Sequence, residues 1–342
     1  MRIAIHKLTN TDNPTPMQTQ LILSRSLLTA SAAVLCAFLV PTAHADVFGS
    51  GANTLTLEFV TIGNAGNADD RGAGGGSYSS PYGGVSYGYR MGTYEISQDA
   101  ITKATANGLA SVTAGAWAGS KPAADMMWYE AAAFVNWLND QRTPGLKAYQ
   151  LDAGASWLTP WASGDAWQAG GQNLYRHKDA YYFLPSEDEW YKAAYHKNTG
   201  VNADYWDYAT GSNTAPTAVA SGTTAGTAVY GMQDGPLTDV HLAGGLSAYG
   251  TMGQNGNAWE WIESAYDGIN NSSWEDRAGR GGCWGNTENY LLSSNRDFQS
   301  PPVNSDNSVG FRVASVPEPT STVLMCSAGL LALARRRRRA AL

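Results

Sequence analysis

The chain has 342 residues, of which 43% are apolar, 11% aromatic and 15% charged, with 38 glycines and 12 tryptophans. That is enough for one large core or two modest ones, and so many glycines and rings suit irregular backbone better than a helical bundle. Between residues 46 and 314, 27 Asp and Glu stand against 14 Lys and Arg, a net charge of −13, which excludes nucleic acid as a partner because the surface would repel phosphates.

Near the start, Arg25 precedes an apolar run from Leu27 to Val40 that closes on Pro41-Thr42-Ala43-His44-Ala45. A basic flank, a short apolar core and an Ala-x-Ala site predict a secretory signal peptide over 1–45, cleaved after Ala45. The body, 46–314, holds a single cysteine, Cys283, since Cys36 lies in the signal and Cys326 in the tail. No internal disulfide is available to it, so its core or a bound metal must hold it together.

Within the body, Leu55-Thr56-Leu57-Glu58-Phe59-Val60 alternates like an edge strand. Residues 63–84, rich in Gly, Ser, Asn and Asp, read as a long surface loop. Tyr87 to Ile96 is strand-like, and Ser97 follows as the N-cap of a helix over 98–106 that Asn107-Gly108 ends. After a linking loop, Ala131, Phe134, Val135 and Leu138 form the core-facing stripe of a helix over about 128–140. Residues 141–180 are polar with scattered tryptophans, and Tyr181 to Pro185 leads into Ser186, which with Glu189 makes a capping box for a helix running to about His196. The stretch 198–248 is rich in Thr, Ala, Gly and Ser and is expected to be irregular coil.

The centre of the chain is Gly250 to Asn286. No helical or strand period fits 250–258, so this is a shaped loop, the kind of segment that carries function. It runs into Trp259-Glu260-Trp261, a carboxylate between two indoles, and Arg280-Gly281-Gly282-Cys283-Trp284 closes the stretch. Residues 264–279 and 287–308 read as polar loops, the latter containing Arg296, and Val309 to Val313 as a final strand.

Six of these segments occur in one order: Met91–Ser97, Met127–Ala131, Leu184–Trp190, Gly256-Asn257-Ala258-Trp259-Glu260-Trp261, Arg280–Trp284 and Gly310-Phe311-Arg312. Together they resemble the formylglycine-generating enzyme family, or sulfatase-modifying factor domain. The resemblance implies an α+β fold, a single compact and loop-rich domain over 46–314, distantly like C-type lectins. It also implies copper chemistry on two cysteines after the Gly-Gly-x-Trp motif, but the matching positions are Asn286 and Leu291. Neither can supply a thiolate, so copper-dependent formylglycine formation is not expected. The resemblance further implies a structural calcium on the carbonyls of Gly256 and Ala258 and the carboxylate of Glu260, although the acidic or amide ligand expected a few residues earlier is Gly253. His177, His196 and His241 show no metal-ligand spacing.

At the far end, Val316-Pro317-Glu318-Pro319, an apolar run from Val323 to Ala334 and Arg335 to Arg339 follow in order. This pattern resembles the PEP-CTERM sorting signal of Gram-negative bacteria, over 315–342. It implies exosortase as partner, a short transmembrane segment that anchors the chain transiently, and delivery through the inner membrane and periplasm to the cell surface or extracellular matrix. The reading that follows is an exported binding or structural module, with extracellular polysaccharide or a surface protein as ligand, rather than an enzyme. The alternative is an oxidoreductase of altered metal chemistry in the family groove, for which Cys283 and Arg296, with Glu260, are the candidate residues.

Overall fold

The computed structural model describes residues 44–316 apart from 72–80, 111, 113–114, 155, 169–172 and 232–236. The chain opens with β1 (His44–Phe48) and β2 (Leu55–Ile62), then reaches β3 (Tyr89–Gly92), α1 (Gln98–Ala106) and α2 (Trp128–Arg142). Two small hairpins follow, β4 (Gln150–Leu151) with β5 (Leu158–Thr159), and β6 (Ala166–Trp167) with β7 (Asn173–His177). After β8 (Tyr182–Phe183) comes α3 (Glu187–Tyr195), and then a long irregular stretch in which β9 (Thr217–Ala218) and β10 (Thr227–Ala228) pair in parallel. The chain ends with β11 (Trp259–Ala265), β12 (Arg277–Arg280), β13 (Gln299–Ser300), β14 (Val309–Phe311) and β15 (Ala314–Ser315).

Two sheets frame the molecule. One is antiparallel in the order β1-β2-β3-β15-β8, and the other runs β13-β12-β11-β14, with β14 parallel to β11. This is an α+β arrangement, as expected. The helices start where side chains satisfy their orphan amides. Ser97 accepts from Ala100 N at 3.2 Å. At α3, Ser186 Oγ accepts from Glu189 N at 3.3 Å, and Glu189 Oε2 accepts from Ser186 N at 2.7 Å. The α2 stripe of Ala131, Phe134, Val135 and Leu138 is buried, but so are Trp128, Tyr129, Ala132 and Trp137. α2 is therefore a core helix with little solvent face, packed with Trp261 and Phe311 in the largest apolar cluster.

Several expectations change. The strand expected over 87–96 is paired only at Tyr89–Gly92, because from Thr93 the backbone turns toward the α1 cap. Residues 264–279 are not one loop: β11 and β12 form a hairpin whose tip is 266–276. The polar stretch 141–180 carries four short strands. The transmembrane segment is corrected: no helix among the described residues is long and apolar enough to cross a membrane. The run 323–334 on which it was placed, and most of the signal peptide, lie outside the described residues.

Candidate functional site

The central loop is shaped by backbone that L-residues rarely adopt. Gly256 has φ +85°, and a Cβ there would lie 2.1 Å from the carbonyl oxygen of Val229. Asn257 follows with φ +60°. It holds that conformation by accepting from Thr238 N at 2.9 Å and donating to Glu95 Oε2 at 2.7 Å. The loop thereby delivers Glu260 into β11, opposite Arg280 on β12 and Gly310 on β14.

Glu260 is fully buried. Arg312 grips it bidentately, Nε to Oε2 and Nη2 to Oε1, each at 2.6 Å. Trp190 Nε1 donates to Oε2, also at 2.6 Å. Arg312 spends its remaining donors on the carbonyls of Gly92 and Met252. The ion pair therefore staples the central loop to β3 and to α3. Of the proposed cation ligands, Glu260 has both oxygens engaged in this way, while Gly256 and Ala258 lie buried beside it. A second carboxyl, Glu95, accepts from Asn257 and from Ala258 N at 3.1 Å. Burial, reinforced by the Glu260 charge, pushes it well above the usual carboxylate range.

Arg296 and Arg280 do not line an open groove; both are buried on one carboxylate, Glu187, at the start of α3. Arg296 Nε reaches Glu187 Oε2 at 2.9 Å, and Arg280 takes the other oxygen. Burial pushes the Glu187 carboxyl up, but the two guanidiniums outweigh it and hold it below the ordinary value. Cys283 is buried, its thiol pushed up by burial. Leu291, at one of the thiolate-matching positions, is fully buried in an apolar cluster with Tyr208, Ala228 and Tyr230. Asn286, at the other, accepts from Cys283 N at 2.8 Å. A hydrocarbon and a carboxamide tied to the backbone do not fit a soft-ligand copper site. Among the described residues there is also no group of three or more His, Cys, Asp or Glu that could hold a metal ion.

A third buried cluster went unread in the sequence. Arg176 on β7 is shared by Glu189 and Glu263, at 2.9 and 2.6 Å. Tyr149 OH and Asn173 Nδ2 complete Glu263, and Tyr87 OH completes Glu189. Above this floor lies a cavity of about 320 Å³. Its walls are Tyr87, Trp167 of β6, Asn173, Ser186 and Asp188 at the start of α3, Ser264 of β11, and Ile269 and Asn270 of the hairpin tip. Asp188 accepts from Gly83 N at 2.9 Å. Burial, with the charges of Glu187, Asp69 and Glu189, raises its carboxyl to about 7. The readable signal was the acidic first turn of α3, Glu187-Asp188-Glu189. Three carboxylates on a helix that docks into a core require buried cations elsewhere in the chain.

Residues 85–316 match the family described as Sulfatase-modifying factor enzyme 1-like domain, and residues 315–339 match the PEP-CTERM protein-sorting motif. No curated protein matches the sequence. Among solved structures, Treponema denticola variable protein 1 is similar with a TM-score of 0.55 at 20% identity, covering 81% of this chain and 100% of that one. A crystal structure of CarF gives 0.49 at 17%, covering 81% and 97%. PvdO from Pseudomonas aeruginosa gives 0.48 at 15%, covering 80% and 98%. At this identity the first likeness speaks to the fold alone.

Proposed function

Because the chain belongs to the sulfatase-modifying factor enzyme 1-like family and is an exosortase-sorted protein, we propose that it is a non-catalytic binding module for extracellular polysaccharide. Its route would run through the inner membrane and periplasm of a Gram-negative bacterium to the cell surface or matrix. One observation carries the reading: the polar groups that could do chemistry in the family groove are consumed in holding the fold. Arg280 and Arg296 are both committed to Glu187 and Cys283 is a buried thiol, while Leu291 fills a thiolate position with hydrocarbon. A nucleophilic thiol requires a depressed pKa, and this one is raised.

A calcium ion on the carbonyls of Gly256 and Ala258 and on Glu260 belongs to the proposal in a weak form. Glu260 would have to share its oxygens with Arg312, which suits the affinity of extracellular modules, about 10⁻⁴–10⁻³ M. The test uses the secreted chain with copper(I), oxygen and a Cys-x-Pro-x-Arg peptide, read by mass spectrometry. In parallel, co-sedimentation with the producing bacterium's extracellular polysaccharide is followed with millimolar calcium or chelator, alongside a melting curve. The expected outcome is no aldehyde, retention on the polysaccharide, and a melting temperature that rises only with millimolar calcium. Aldehyde formation, or no retention, would sink the reading.

A further inference from the structure

We propose that the cavity above Arg176 is a monosaccharide-binding site, taking one neutral hexopyranose unit between the Tyr87–Trp167 aromatic corner and the Asp188 carboxylate. This rests on the binding-module reading and names the site and ligand class for it.

A cavity of about 320 Å³ lies at the lower end of the range of small-molecule sites, roughly 300–1,000 Å³. It has room for a sugar ring at a chain end.

The floor sets Glu189 and Glu263 against a single cation, Arg176, and Asp188 adds a further carboxylate at the wall. Arg176 has its donors on those two glutamates and on the Leu184 carbonyl. No guanidinium is left to greet an anion, and the site repels phosphates, sulfates and uronates.

The indole Nε1 of Trp167 is buried and turned toward the Tyr87 side chain, so Trp167 offers the cavity its ring and not a donor. Ser186 and Ser264 each accept a backbone amide, from Glu189 and Glu187 respectively, so their hydroxyl hydrogens remain to be given. Asp188 has Gly83 N on one oxygen, and the other accepts nothing among the described residues. Tyr87 and Trp167 meet edge to face at 5.8 Å, and Val85 and the 60%-exposed Ile269 add an apolar rim. An aromatic and apolar wall beside one free acceptor and two hydroxyl donors matches a pyranose, which presents C–H faces and hydroxyls that both give and accept.

Asp188 accepts sugar hydroxyls best when ionised, so binding should weaken as pH falls below about 7. The charged groups facing it are Glu187 and Glu189 on its own helix and Asp69 from the loop before β3, with Arg176 and Glu263 on the cavity floor.

Calorimetric titration of the secreted chain with methyl glycosides of glucose, galactose, mannose and N-acetylglucosamine provides the test. We expect at least one to bind, with affinity falling about tenfold in Asp188→Asn and in Trp167→Ala, which removes the ring wall. The same glycoside should bind more weakly at pH 5.5 than at pH 7.5 in the natural chain, and this difference should vanish in Asp188→Asn. Circular dichroism and melting of each variant verify folding. Trp274→Ala serves as an outside control, because Trp274 and Trp157 form an exposed indole pair at 4.6 Å that does not line the cavity. Binding lost only in Trp274→Ala, binding indifferent to both cavity variants, or no glycoside bound at all would overturn the proposal. Retention on the intact polysaccharide would then still stand, so failure of this site is separable from failure of the module reading.

Discussion

At the residue scale, Glu95 is the telling group. It shares a buried space with Glu260, and the one guanidinium there, Arg312, is committed to Glu260. Its pKa is raised in the folded state, so the native protein binds that proton more tightly than the unfolded chain does. Stability therefore falls as pH rises above the unfolded value of about 4.3. In Glu95→Gln the carboxamide cannot ionise, but its NH₂ must face a donor, either Asn257 Nδ2 or Ala258 N. We expect the variant to lose about 1–3 kcal/mol at pH 5, and the gap to the natural chain to narrow toward pH 8. Urea unfolding at both values measures it. The sequence singled out Glu260 and Arg312 because both sit in recognisable motifs, but it read Glu260 as a calcium ligand and did not pair it with Arg312. It hid the roles of Arg280 and Arg296, whose common partner Glu187 lies 93 and 109 residues away. No local period reports a contact of that separation.

The elements show the same division. The ends of α1 and the start of α3 were legible, since a cap is a short-range bond between residues three apart. β12 was not. Arg277 to Arg280 is buried along its whole length, yet it carries an arginine at each end and a glycine within, so no apolar alternation exists to be read. The two-residue strands are shorter than any period. α3 is the element on which the cluster around Glu187 and the cavity both depend: its first turn supplies Glu187, Asp188 and Glu189, whose charges suit a helix N-terminus. Ser186→Ala removes one half of its capping box and should destabilise the protein by about 1 kcal/mol. That corresponds to a fall in melting temperature of roughly 2–4 °C for a body of this size, readable by calorimetry.

Across the whole molecule, one side chain ties the two ends of the body together. Arg90 on β3 donates to Asp46 on β1, at 3.0 and 2.7 Å, and to Ser315 Oγ on β15 at 2.8 Å, with its guanidinium over the Phe59 ring. The expected cleavage point after Ala45 falls within β1, and Asp46, the residue just beyond it, carries the contacts. Arg90→Met should leave Asp46 without its cation and cost about 1–3 kcal/mol, less than a fully buried pair would. Hydrogen exchange should quicken in β1 and β15 before it does in α2. The seating of β15 has a mechanical consequence. This strand, whose Ser315 is the first residue of the sorting motif, is hydrogen-bonded on both sides, to β3 and to β8. A pull on the C-terminal tail therefore enters the sheet between two neighbours, where two ladders and the Arg90 clasp must give way together. The same force on an edge strand would peel it off one bond at a time.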